Sequence, residues 1–233
     1  MGNAVGLGRI PVVPGACTGA VPGHQVKILD DHGNELPQGQ LGNMVLKAPL
    51  PPGTLSTLFK NDERFIQSYM KKFPGYYDTA DAAFIDKDGY IHILGRVDDI
   101  INTAGHRLST GALEEILMDH PEVADCAVFP VKDEIKGELP VGLVVMNKGS
   151  TIEEDTLKTE LIQMVRAEMG PVAAFRMVAV VKGLPKTRSG KILRSTMSKI
   201  ANGEEYTITP TVEDADIFDY LEPVIRDTVR RHR

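Results

Sequence analysis

Chemistry in this chain begins at one basic stretch. KGLPKTRSGKILRSTMSK, Lys182 to Lys199, carries Lys182, Lys186, Arg188, Lys191, Arg194 and Lys199 and no acid. A glycine-containing loop with a lysine, set just before a helix, suits a phosphate or a carboxylate. The spacing is not that of a Walker A loop, because Gly183 and Gly190 enclose six residues and Ile192 follows Lys191. A solvated basic loop would read the same way. A second stretch, GRVDDIINTAGHR, runs from Gly95 to Arg107. Its adjacent acids Asp98 and Asp99 repel each other, which favours solvation and a local bend. Ala104 and Gly105 offer backbone nearly bare of side chain, which a narrow ligand can approach. Arg107 adds a fork of donors suited to phosphate. An interdomain linker is the plain alternative. Third, GYYDTAD ends in Asp81, whose carboxylate can accept from two vicinal hydroxyls such as those of a ribose, or can simply cap a turn.

No HExxH, CxxC or EF-hand pattern occurs, and no metal-ligating set is expected. His106 has no Ser, Cys or acid at a spacing that would make a nucleophile and base.

The elements that must hold these residues are read from periodicity. Alternation predicts strands at Gln25–Asp30 and Asn43–Lys47, with turn chemistry between them. Asn61–Phe73 reads as a capped helix that stops before Pro74. Ala82–Leu94 reads as a hairpin around KDG. Thr110–Asp119 has helical spacing at Leu113, Ile116 and Leu117. Strands are expected at Val123–Val131, Leu139–Met146 and Arg176–Val181. Helices are expected at Glu153–Met169 and Ile192–Ala201, and beyond Asn202 a weakly specified tail with one helical stretch near Leu221–Arg230. The fold class is therefore α/β (α+β). A strand-rich part over 1–97 meets a hinge at 98–99, followed by a small α/β domain over 100–202 and a tail over 203–233.

Composition excludes more than it selects. The 233 residues are 42% hydrophobic and 25% charged, the mix of a globular protein. A net charge of −6 argues against nucleic acid or an anionic membrane as the main partner. No apolar run reaches the length of a membrane span. The two cysteines, Cys17 and Cys126, lie far apart and form no framework.

Together and in this order, YYDTAD, DGYIHILGRVDDIINTAGHR and LPKTRSGK resemble the AMP-forming acyl-CoA synthetases of the adenylating superfamily. FPGYYDTAD, GPVAAFR and LPKTRSGKI are most similar to its short-chain, propionate-preferring branch. The resemblance implies a large adenylation domain followed by a small mobile one, and a ligase that converts a short-chain carboxylate, ATP and CoA into acyl-CoA, AMP and pyrophosphate. It implies that Lys191 is the adenylation lysine. Asp81, Arg96 and Arg107 would contact the nucleotide, Ala104, Gly105 and Arg166 would contact CoA, and Asp98 would be the hinge. It further implies ATP/AMP, CoA and Mg²⁺ as ligands, Mg²⁺ mostly through a portion that precedes the segments seen here. Family members occupy the mitochondrial matrix or the cytoplasm. The phosphate-cradling loop and the acyl-pocket segment of the family are not found in residues 1–233, so the chain is expected to be a C-terminal portion, inactive in adenylation alone. Residues 1–98 are then expected to expose apolar surface and to self-associate. The alternative is a non-catalytic module that binds CoA or AMP, or another protein.

Overall fold

The computed structural model describes residues 11–232. The chain divides into two compact units, Met1–Val97 and Asp98–Arg233.

Among the described residues the first unit holds a four-stranded antiparallel sheet in sequential order. Its strands are β1 (Val26–Leu29), β2 (Gly42–Lys47), β3 (Tyr76–Ile85) and β4 (Ile91–Arg96). Asp30 starts the turn after β1 by accepting from the backbone N–H of His32 and of Asn34, both at 2.8 Å. Gly42 is dictated by close approach, since a Cβ there would lie 2.5 Å from the Leu29 carbonyl oxygen. Period-two alternation sends Ile28, Met44, Ala83 and Ile91 into one small apolar cluster and Leu29 and Val45 into another, which Phe73 joins from the segment before β3.

The helix expected over 61–73 is shorter and wider. Asn61 caps α1 (Asp62–Phe65) by accepting from Arg64 N–H, and the chain then widens to a π turn at Ile66–Met70. There Tyr69 stacks on Tyr77 of β3 with ring centroids 5.0 Å apart, a contact across the chain that local periodicity does not encode.

The second unit contains β5 (Ile100–Thr103), β6 (His106–Ser109), α2 (Thr110–Met118), β7 (Val123–Asp133), β8 (Gly137–Met146), α3 (Glu154–Met169), β9 (Met177–Val180), α4 (Arg194–Asn202) and α5 (Ile217–Arg230). Its sheet runs β6-β5-β8-β7, with β9 parallel to β8. Helices cover both faces. Phe129, Leu143, Met197, Phe218 and Leu221 share one core, and Ile101, Leu113, Val128, Val144, Leu157 and Leu161 share the other. Burial on both sides is why VFPV and GLVV read as continuous apolar runs rather than alternating ones.

Two features depart from the expectation. Ile100–Ser109 is a β-hairpin, not a linker. The stretch beyond Asn202 is part of the core. Phe218, Leu221, Ile225 and Val229 of α5 are all buried, at spacings of three and four residues. Each such side chain contributes roughly 1.5–3 kcal/mol by leaving water.

β7 is an edge strand whose outer edge is capped by side chains. Val128 N–H donates to Glu114 Oε1, Pro130 C=O accepts from Ser198 Oγ, and Lys132 N–H donates to Asn202 Oδ1, all within 2.8 Å. The edge is thereby closed to further strand pairing. Among the described residues no helix is long and apolar enough to cross a membrane.

Candidate functional site

In the first unit the structure brings Asp81 and Arg96 together. They are directly opposed in the β3–β4 register, and Arg96 Nη1 lies 3.4 Å from Asp81 Oδ1 and 3.0 Å from the Thr79 carbonyl. Asp81 stands inside β3 just after a bulge. Asp78 pairs with Val45 and Asp81 with the adjacent Met44, so Thr79 and Ala80 are extra. Thr79 Oγ1 donates to the Met44 carbonyl, Asp78 Oδ1 accepts from Ala80 N–H, and Ala80 sits at φ 55°. Such an insertion bends the strand and re-aims the side chain that follows it. Asp81 is thus a half-exposed carboxylate with a guanidinium beside it, chemistry that suits a polyhydroxylated, anionic ligand.

In the second unit a short 3₁₀ turn carries Asp98 and Asp99 into β5. Asp98 is exposed, but Asp99 is half-buried, against the expectation that both stay solvated. Burial pushes the Asp99 carboxyl above its ordinary range; Arg194 pulls the other way, and Asp98 and Glu114 add to the rise. Ala104 and Gly105 form the two-residue turn of the β5–β6 hairpin, at φ 49° and 84°. Positive φ at both positions marks the turn that matches strand twist, which accounts for Gly105 without any ligand. A Cβ on Gly105 would meet nothing within 4 Å, so the backbone there borders open space. Arg107 lies opposite Asn102 in the same hairpin. Arg166 is exposed in the last turn of α3, and the Pro171–Ala173 turn that follows packs against β6.

Lys191 stands at an exposed hairpin-like loop, not at the mouth of a helix. Lys186 bridges Ile192, Thr187 N–H donates to the Lys191 carbonyl at 2.8 Å, and Gly190 N–H donates to the Thr187 carbonyl at 2.8 Å. Lys191 N–H donates to Thr187 Oγ1 at 3.1 Å. The amides of Thr187, Gly190 and Lys191 are therefore spent within the loop, and α4 starts only at Arg194. What the loop offers a ligand is the Lys191 amine, not a nest of N–H groups. The incoming strand of the loop pairs with the segment before α5: Arg188 N–H donates to the Thr211 carbonyl and Glu213 N–H to the Lys186 carbonyl, both at 2.9 Å.

The basic run is only partly solvated. Lys182 lies 5.4 Å from the Tyr220 ring centre. Lys186 is ion-paired to Asp125. Arg194 makes a two-pronged bond to Glu114, Nε to Oε1 at 2.8 Å and Nη2 to Oε2 at 2.7 Å. Glu114 and Asp125 escape a reading of the sequence because they lie 80 and 61 residues from their partners and carry no local signature. Among the described residues no three His, Cys, Asp or Glu side chains gather as a metal ligand set.

Residues 112–191 match the model of the AMP-binding enzyme C-terminal domain. This region is an AMP-binding enzyme C-terminal domain. Acyl-CoA synthetase short-chain family member 3, mitochondrial, of Mus musculus is 49% identical over 228 residues, 97% of this chain and 33% of that protein. Acetyl-coenzyme A synthetase of Pyrobaculum aerophilum is 43% identical over 212 residues, 91% of this chain and 31% of that protein. The crystal structure of ATP-bound MatB from Rhodopseudomonas palustris superposes with a TM-score of 0.61 at 30% identity, over 81% of this chain and 37% of that one. The chain spans about a third of the length of the curated relatives it matches. It is homologous to short-chain acyl-CoA synthetases over most of its own length and matches the C-terminal part of an AMP-forming ligase. Lys191 is the last residue of the matched C-terminal domain, and Glu114 and Asp125 lie within it.

Proposed function

We propose that this chain supplies the C-terminal part of a short-chain acyl-CoA synthetase acting on propionate or acetate. A carboxylate attacks the α-phosphate of ATP to give acyl-AMP and pyrophosphate, and the CoA thiol then displaces AMP to give the thioester. The observation that carries this reading is the exposed Lys191 amine on a loop that bonds the amides of Thr187, Gly190 and Lys191 within itself.

In the first step two anions must meet. A cation between them offsets their repulsion and stabilises the charge that builds at the α-phosphate, an effect commonly worth roughly 3–4 kcal/mol for one positioned donor. Lysine, a compact charge on a flexible stem, suits a bridge that is needed for one step only. Asp81 would accept the ribose hydroxyls, with Arg96 beside it and Arg107 toward the phosphates. Ala104 and Gly105 would border the pantetheine arm of CoA, and Arg166 would meet a CoA phosphate. Support for the CoA edge is the open space beside Gly105. Asp98 would be the hinge about which the C-terminal domain rotates between the two steps. The name of the mouse relative favours the mitochondrial matrix over the cytoplasm.

The second reading is a non-catalytic module that binds CoA or AMP. It is favoured by the two full cores of the second unit, whose buried residues all lie between Ile101 and Val229. Calorimetric titration of CoA and AMP into the 233-residue chain separates the two, combined with an assay of the chain joined to the preceding region of the mouse relative. Acyl-AMP formed by the joined protein and lost with Lys191→Gln supports the synthetase. Binding without turnover in the joined protein supports the module.

A further inference from the structure

The Lys191 loop leaves the body of its unit at two places, and each is held by an ion pair to the same edge of the fold. On the incoming side Lys186 is bound to Asp125, near the start of β7. On the outgoing side Arg194 is bound through both prongs to Glu114 of α2. Glu114 is itself fixed, because its Oε1 also accepts from Val128 N–H of β7 at 2.8 Å. Side-chain exposure is 22% for Arg194 and 15% for Glu114, so this pair is screened little by solvent. A guanidinium held by both oxygens of a carboxylate has one orientation, whereas a single ammonium contact does not. Between the two pairs the strands of the loop are joined by the Lys186–Ile192 bridge and by Leu193 N–H to the Pro185 carbonyl at 2.9 Å.

We infer that Glu114–Arg194 and Asp125–Lys186 form a two-footed clamp whose task is to fix the direction in which the Lys191 amine is presented. These four are positioning residues: none is needed to touch substrate, and all act through the loop. The inference rests on the proposed role of Lys191 and adds to it a set of residues that would govern the rate of the adenylation step without governing affinity for ATP. Lys182 and Lys199, of the same basic run, have no part in it. Asp99 shares the field of the clamp, since Arg194 and Lys191 both act on its carboxylate. The residue next to the proposed hinge is thus electrostatically linked to the lysine loop.

Amide hydrogen exchange on the 233-residue chain tests the clamp itself. Glu114→Gln keeps an acceptor for Val128 N–H but removes the charge that holds Arg194, and Lys186→Gln releases the other foot. Each variant is expected to speed exchange of the Gly190 and Lys191 amides at least tenfold, and the double variant more, with Leu143 and Val144 of β8 at their parent rates. Lys186→Arg, which keeps the pair, should retain parent exchange at the loop. Loop amides at parent rates in the double variant would overturn the clamp. If Glu114→Gln also speeds exchange across β8, unit-wide opening is the cause and Lys186→Gln alone decides. Kinetics of the joined protein separate a positioning role from a structural one. The clamp variants should lower kcat for adenylation about tenfold, with KM for ATP within twofold of the parent. Unchanged kcat in these variants, alongside loss in Lys191→Gln, overturns the inference and leaves the function intact. Parent adenylation in Lys191→Gln instead overturns the function, while the exchange result still judges the clamp.

Discussion

The two units solve the same problem, burying a sheet, with very different means. In Asp98–Arg233 helices cover both faces of the sheet, and the buried side chains form two broad cores. In Met1–Val97 the buried side chains of the described residues form two small clusters. Apolar area removed from water is the main favourable term in folding, so the second unit should hold most of the stability of this chain. The candidate residues follow the same division. Asp81 of the first unit follows a bulge in its sheet, and Lys191 of the second stands on a loop joined to a dense core.

The contrast fails most visibly if α5 is dispensable. Phe218→Ala should destabilise the second unit by about 3–5 kcal/mol, the usual cost of emptying a buried aromatic site. Thermal or urea unfolding followed by circular dichroism reads this directly. A loss below about 1 kcal/mol would make α5 an appendage, as its sequence suggests, rather than part of the core.

Each unit holds one cysteine, so the two thiols report on the units separately. Cys17 is partly exposed, whereas Cys126 is buried. Burial pushes the Cys126 thiol up to about 12, so almost no thiolate exists at pH 8 in the folded unit. Iodoacetamide should label Cys17 in the native chain at least roughly a hundredfold faster than Cys126, a protection equivalent to about 2.7 kcal/mol. With rising urea Cys17 should reach full reactivity first. Simultaneous exposure of both would mean that the units unfold as one.

The smallest effect concerns Asp99. Its carboxyl is raised in the folded state, so folding takes up a proton between the unfolded value and the raised one. Stability from this group is therefore present at low pH and lost as pH rises through that window. Asp99→Asn should stabilise the second unit at pH 7 by no more than about 0.5 kcal/mol. The gain should vanish below the ordinary carboxylate range. A destabilisation at pH 7 would mean that attraction to Arg194 and Lys191 outweighs burial.

Much of this arrangement is legible in the sequence, and the gaps have physical causes. Val26–Leu29 and Gly42–Lys47 announce themselves by alternation, and Glu154–Met169 by its helical stripe, because each buries one face along a continuous stretch. The hairpin Ile100–Ser109 does not, since IINT and HRLS are too short to show a period. Phe218 and Leu221 look like tail residues until the sheet they cover is assembled. Of the candidate site, Asp81 and Lys191 stand out by type and pattern, and Arg96 only through the family resemblance. Glu114 and Asp125 are ordinary surface acids in the sequence, and only the packing of α2 and β7 brings them to the lysine loop.

The decisive experiment is the adenylation half-reaction of the joined protein with Lys191→Gln, measured as acyl-AMP formed from ATP and propionate. Acyl-AMP formation should fall at least about a hundredfold, in line with the loss of one positioned charge. Thioester formation from supplied propionyl-AMP and CoA should stay within about threefold of the parent. Acyl-AMP made at the parent rate would contradict the role assigned to Lys191.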